Sequence, residues 1–169
     1  MKSGQIPGLV IGIVTANDDP TGQGKIKVRY PWLDETLESD WIPVAAPFAG
    51  PDRGFFTMPE LEDEMVIGFL HGDFNHPVAL GAMWNGQSEA PSPDPRQRIF
   101  RGKNGQSIRF VDSTPANGDF GALIIDDKHG NMIMMCNTHM TIKASGTLMI
   151  EGATVMIKGR TVTPNGNPI

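Results

Sequence analysis

Four carboxylates crowd one short segment, Glu60, Glu62, Asp63 and Glu64, and two facing carboxylates are what acid–base chemistry on a glycosidic bond requires. Nothing in the segment fixes such a facing. Pro59 opens it, strand-like residues flank it, and adjacent carboxylates on a connection of this kind read as a solvated turn. The four histidines, His71, His76, His129 and His139, stand on or beside turn signals, with no His-X-His, Cys-X-X-Cys or His-Glu-X-X-His spacing, so a metal site within one chain is not expected. In an assembly of three copies one residue near the axis supplies three ligands, which leaves His139 and Asp126 as the positions where an ion could sit; polar residues just before a repeat are expected to face solvent instead. Ser107 and Cys136 have neither a neighbouring base nor a nucleophile elbow. Cys136 follows the run Met132, Ile133, Met134, Met135, where a buried, inert thiol is expected. Gly22-Gln23-Gly24-Lys25 and Lys103-Asn104-Gly105-Gln106 bring Gly and Lys together, but neither precedes a helix, so both read as hairpin turns rather than phosphate cradles. The sequence thus offers no catalytic, cofactor-binding or metal-ligating set.

The elements that would position any site are strands. The chain has 169 residues, 39% hydrophobic and 20% charged, with 20 Gly and 14 Pro, a β-rich and turn-rich composition with room for one ordinary or two small domains. The net charge of -5 argues against nucleic acid as the main partner. One cysteine excludes an internal disulfide framework. No apolar run is long enough to span a membrane, and the N-terminus lacks the apolar core and cleavage site of a signal peptide. The expectation is synthesis in the cytoplasm without a signal.

Residues 8–14 and the alternating run 25–30 (Ile26, Val28, Tyr30 against Lys25, Lys27, Arg29) form a hairpin around Asn17-Asp18-Asp19-Pro20-Thr21-Gly22. The acidic segment 34–40 reads as a solvated loop and 41–45 as a third strand. Residues 54–58 and 64–70 read as the next pair, and 78–84 as a further strand. Five or six short strands in under ninety residues suggest a small closed or partly closed barrel. Pro91, Pro93 and Pro95 then break the pattern. The domain assignment is an N-terminal segment 1–7, a barrel 8–87, a Pro-rich linker 88–97 and a C-terminal region 98–169 holding strands at 98–101, 106–111, 122–126 and 132–136.

From Thr138 onward short units repeat: Leu148, Met149, Ile150 and Gly152 recur seven residues later as Val155, Met156, Ile157 and Gly159, and Val162 opens a third copy. Gly in each unit and the β-branched Thr, Val and Ile oppose a coiled coil. A short strand, a bend at Gly146, Gly152 or Gly159, and another short strand fit better. One unit spans roughly 23 Å, enough for one wall of a β-prism but not for a chain to circle a core alone. Three identical chains wound about one axis would supply the other walls; an antiparallel meander within one chain is the other solution. The inward set is taken as Ile142, Leu148, Ile150, Val155, Ile157 and Val162, although alternation equally allows the face of Met149 and Met156.

Several separated motifs then agree with one family. Gly24 through Trp32, Trp41-Ile42-Pro43-Val44, Ala49-Gly50, Pro59 with Glu64-Met65-Val66, Phe69-Leu70-His71-Gly72-Asp73, Pro77, and Gly81 through Trp84-Asn85-Gly86 resemble, in order, the OB-fold domain of the central spike proteins of contractile injection systems. That group includes phage baseplate assembly protein V, the type VI secretion VgrG spikes and the spikes of phage-tail-like extracellular particles. The C-terminal order of a Gly-containing first strand, a polar loop, an Ile-Ile-Asp-Asp-Lys-X-Gly-Asn hairpin and repeats is similar too. The resemblance implies an all-β fold, an OB barrel followed by a three-chain intertwined β-helix in a homotrimer, with no enzymatic activity. It implies assembly into a phage virion baseplate or an injection particle, a separate hub protein that links the spike to the inner tube, and contact with a target membrane only during puncture. The end of the chain lacks a metal-binding His-X-His needle tip, which implies a blunt end at Pro164, Asn165 and Ile169 covered by a PAAR-type tip protein. A cell-wall hydrolase has no segment long enough to house it. The alternative from another class is an OB module that binds single-stranded nucleic acid or glycan; Trp32, Trp41, Phe55, Phe56 and Trp84 supply rings for it, but the acidic loop beside the first two favours core or subunit contact.

Overall fold

The computed structural model describes residues 5–114, 121–156 and 159. The chain divides into two units, Met1–Ala90 and Pro91–Ile169, both built from strands with a single short 3-10 turn at Leu70–Gly72 among the described residues.

The N-terminal unit starts with a hairpin of β1 (Leu9–Ala16) and β2 (Lys25–Tyr30), in which Val14 faces Val28 and Ile13 faces Arg29. Its turn is organised by one carboxylate. Asp19 accepts the backbone N–H groups of Thr21, Gln23 and Lys25 at 2.9, 2.9 and 3.3 Å and the Thr21 hydroxyl at 2.7 Å. Desolvation pushes the Asp19 carboxyl up, but the bonds from Thr21, Gln23 and Lys25 together outweigh it and bring its pKa to about 2. β3 (Asp34–Glu38) and β4 (Ile42–Pro43) share the other edge of β2, Arg29 facing Glu38 and Ile26 facing Ile42. Between them Ser39 stands in for a ladder residue: its N–H donates to the Val28 carbonyl at 2.8 Å and its Oγ accepts the Val28 N–H at 3.0 Å.

β5 (Ala49–Gly50) and β6 (Arg53–Gly54) make a small separate hairpin. β7 (Glu64–Phe69) pairs with β1, and β8 (Pro77–Ala82) with β7. A parallel bridge from Val44 to Ala79, with Ala45 N–H donating to the Ala79 carbonyl at 2.8 Å, returns β8 to the segment after β4. The ring β4-β2-β1-β7-β8 is therefore closed, which leaves these strands without free edges along the bridged stretch.

Period-two alternation fills the ring. Ile26, Val28 and Tyr30 from β2 and Met65, Ile67 and Phe69 from β7 point inward with Val14, Ile42 and Ala79, while Lys25, Lys27 and Arg29 take the other face. Gly12 is required where β1 crosses this core: a Cβ there would stand 3.0 Å from Ile67 and 3.1 Å from Val28. Tyr30, Phe69 and Phe74 close one end, with ring centroids 5.4 to 6.2 Å apart.

Two expectations are corrected here. The acidic segment 34–40 is not a loop throughout. Asp34 accepts the Thr36 N–H at 2.7 Å, Leu37 packs on the core, and Glu38 pairs with Lys27 at 2.9 Å, so an edge strand can carry its charges on the wet side. Residues 54–58 do not pair with 64–70; Gly54 pairs with Ala49 across a turn in which Asp52 has φ 53°, and β7 is already taken on both edges.

The C-terminal unit is an antiparallel meander of β9 (Gln97–Arg101), β10 (Ser107–Val111), β11 (Ala122–Asp126), β12 (Met132–Met135) and β13 (Met140–Lys143), each strand beside its neighbours in sequence. Asp127 holds the β11–β12 turn by accepting the N–H groups of His129 and Asn131 at 2.8 and 3.0 Å. After Lys143 no described residue belongs to a strand, so the described part of the repeats, expected to be strands, has no ladder with other described residues of the chain.

The Asp19 turn generates a pH prediction. Its folded pKa lies below the ordinary carboxylate value, so its stabilisation is fully present above about pH 4 and is lost as pH falls toward about 2. Melting curves should show the native chain losing more stability than Asp19→Asn over that interval, with the variant the less stable of the two near neutrality.

Candidate functional site

The register of the C-terminal meander determines what its two faces carry. Ile108 stands opposite Phe100 on one side and Ile125 on the other, Ile125 opposite Ile133, and Ile133 opposite Ile142. One row of large apolar side chains therefore crosses all five strands. A second row on the same face runs through Phe110, Leu123, Met135 and Met140. These rows are largely exposed: Phe100, Ile108, Ile125, Ile133 and Ile142 are 55, 40, 42, 37 and 53% exposed, and Phe110 and Met140 are 54 and 60% exposed. A single row of this kind on a water-facing sheet would be unremarkable, but contiguous rows of large apolar residues mark a contact surface.

The opposite face is built differently. Ser107, buried, donates its hydroxyl to Asp126, and the Arg109 guanidinium also pairs with Asp126. The Ser107 hydroxyl, followed by the Arg109 charge, holds the Asp126 carboxyl below the usual range. These three residues pin β10 to β11 in register, because Ser107 and Asp126 are direct cross-strand partners. On the apolar face, Arg98 stands opposite Phe110 and pairs with Asp112 at the end of the second row, and beside β9 Arg96 pairs with Asp94 at 3.0 Å.

Of the six residues taken as the inward set, Ile142 lies on the apolar face. Leu148, Ile150 and Val155 are 52, 64 and 51% exposed on the segment that has no strand. Ile157 and Val162 lie outside the described residues, as do Pro164, Asn165 and Ile169 at the blunt end. Gly146 is in a bend with open space around it, and Gly159 is also at a bend; at Gly152 the bend falls on the two residues that follow. The sequence reading missed the rows on β9 to β12. Alternation was available for them in β10, where Ile108 and Phe110 interleave with Ser107 and Arg109, but was hidden in β12 because all four of its residues are apolar.

The chemical candidates resolve into local structure. Asp63 accepts the Glu60 N–H at 2.9 Å, and Glu62, at φ 70°, pairs with Arg29 at 2.9 Å; the acidic cluster is a turn. His76 pairs with Asp73 at 2.9 Å, and His71 sits at φ 54° in the 3-10 turn. Ser107 is committed to Asp126. Cys136 is corrected: it is half-exposed at the start of the β12–β13 turn, not buried. The rings at Trp32, Phe55, Phe56 and Trp84 are exposed rather than core, and Trp41 lies half-buried with the Lys27 ammonium 5.7 Å from its ring.

With this geometry in place, comparison with known proteins is informative. Residues 10–84 match the family described as the Type VI secretion system/phage-baseplate injector OB domain. The match covers the closed ring from β1 through β8. The chain also resembles VgrG spike proteins. It is 29% identical to the type VI secretion system spike protein VgrG5 of Pseudomonas aeruginosa over 112 residues, 63% of this chain and 13% of that protein. It is 30% identical over 111 residues to VgrG1a of the same species, 63% of this chain and 17% of the relative. The actin cross-linking toxin VgrG1 of Vibrio cholerae is 24% identical over 178 residues, 90% of this chain and 16% of the toxin. The chain thus spans less than a fifth of these relatives. Among the described residues no helix is long and apolar enough to cross a membrane.

The exposed rows predict behaviour in solution. Ile125→Lys, at the middle of the face, should convert an associating chain into single copies by sedimentation velocity without loss of the β-sheet circular dichroism signal. An unchanged sedimentation coefficient would place the face outside the contact.

Proposed function

We propose that the chain is a structural, non-enzymatic spike at the centre of a contractile injection system or phage baseplate. Three copies associate through the C-terminal unit, the OB barrels dock on a hub protein that joins them to the inner tube, and the repeats form a shaft that concentrates force on a target envelope. The blunt end of the shaft receives a PAAR-type tip. The domain limits proposed for this role are 8–87 for the barrel, 88–97 for the linker and 98–169 for the shaft.

The observation that carries this reading is the pair of apolar rows on the β9 to β13 sheet, continued in sequence by repeats whose described residues have no strand partner among the described residues of the chain. Both deficits are met at once by further copies of the chain, which cover the apolar face and pair the repeats edge to edge. An assembly held in this way is stiff, because no chain can leave without breaking hydrogen bonds along its length. The likeness to VgrG spike proteins and to the injector OB domain supports the placement in a spike.

Light scattering on the intact chain at micromolar concentration tests the proposal: three copies per particle are expected. A single-copy mass across that range would contradict it.

A further inference from the structure

We propose that a groove in the barrel, between residues 38–43 and residues 70–78, receives an arginine side chain from a basic segment of a partner protein. The groove has a volume of about 450 Å³, room for one long side chain and its flanking backbone. Asp40, Trp41 and Pro43 contribute to one wall, and Leu70, Phe74 and His76 to the other. It lies within one barrel and is independent of how the C-terminal units associate.

Charge sets the sign of the occupant. Residues 1–90 carry 13 Asp and Glu against 5 Lys and Arg, so the field of this unit favours a cation. The cations beside the groove are already engaged. Lys27 pairs with Glu38 at 2.9 Å and stands 5.7 Å from the Trp41 ring centroid. His76 is paired with Asp73 at 2.9 Å, and that pair adds no net positive charge in either protonation state. Asp40 is exposed and makes no ion pair among the described residues.

A second, independent feature points to a donor from outside the chain. Tyr30 is 1% exposed and lines the groove, yet its hydroxyl has no hydrogen-bond partner among the described residues. The Ser39 hydroxyl that acts on it is already committed, donating to the Asp40 carbonyl at 2.7 Å and accepting the Val28 N–H at 3.0 Å. A buried hydroxyl left unpaired is rare and costs the fold stability, and a ligand that supplies the missing bond accounts for it. Arginine fits these features together. Its planar guanidinium presents five N–H donors in a fixed fork, enough to reach the Asp40 carboxylate and the Tyr30 hydroxyl, and it stacks on aromatic rings such as Trp41. Its methylene stem suits the apolar walls at Leu70 and Pro43. Lysine, a compact and strongly hydrated point charge, fits less well.

The test is titration of the full chain with the blocked tripeptide acetyl-Leu-Arg-Leu-amide at roughly 0.15 M salt, followed by NMR of the indole N–H signals of the three tryptophans. Trp41 is expected to shift and saturate while Trp32 and Trp84 stay in place. The citrulline twin of the peptide, alike in shape but uncharged, should bind about tenfold more weakly, and Asp40→Asn should weaken the arginine peptide by a similar factor. Tyr30→Phe removes only the unpartnered hydroxyl: binding should fall about fivefold or more while the melting temperature holds or rises. Absence of a Trp41 shift at millimolar peptide would overturn the proposal, as would equal binding of the citrulline twin. A lowered melting temperature for Tyr30→Phe would also overturn it, because the hydroxyl would then have a partner in the free chain.

Discussion

A β-sheet in water must bury at least one face, and every strand edge must end in a partner or in a device that discourages pairing. Among the described residues the five strands of the C-terminal unit meet neither condition alone: Phe100, Ile108, Ile125, Ile133 and Ile142 form an exposed apolar row, and β9 and β13 end the sheet. Removing apolar surface of this size from water is the largest favourable term open to the chain. The rest of the architecture is arranged around that unmet need.

The two units resolve the same constraint in opposite ways. In the barrel, β8 returns to the strand beside β2 through the Val44–Ala79 bridge, and nine apolar side chains fill the interior. That unit buries its core within one chain. In the C-terminal unit, ladder bonds and the Ser107–Asp126–Arg109 network hold the strands in register, but among the described residues only Ser107 is buried. Register is supplied within the chain; in the proposed assembly, burial comes from other copies. A rigid, pre-registered sheet enters association with little further ordering to lose, which lowers the entropic cost of assembly.

The barrel was legible in the sequence because its strands alternate cleanly: Ile26, Val28 and Tyr30 against Lys25, Lys27 and Arg29 announce both element and buried face. The acidic strand β3 was not, since Asp34, Glu35 and Glu38 suppress any apolar period, and only Leu37 turns inward. In the C-terminal unit the strands could be found but their faces could not, because Met132, Ile133, Met134 and Met135 offer no polar position to mark the outside. Cys136 and His139 were visible as letters, yet their approach depends on a turn that periodicity does not specify. Resemblance of separated motifs, rather than periodicity, located the family.

Repeats such as those from Leu148 to Met156 can become strands only when a neighbouring backbone takes up their N–H and C=O groups. Hydrogen exchange of the amides in residues 147–156 of the intact, concentrated chain therefore bears most directly on whether assembly completes the fold. Protection comparable to that of β10 and β11 is the predicted result. Exchange at unfolded-chain rates in the same sample, with β10 and β11 protected, would contradict it.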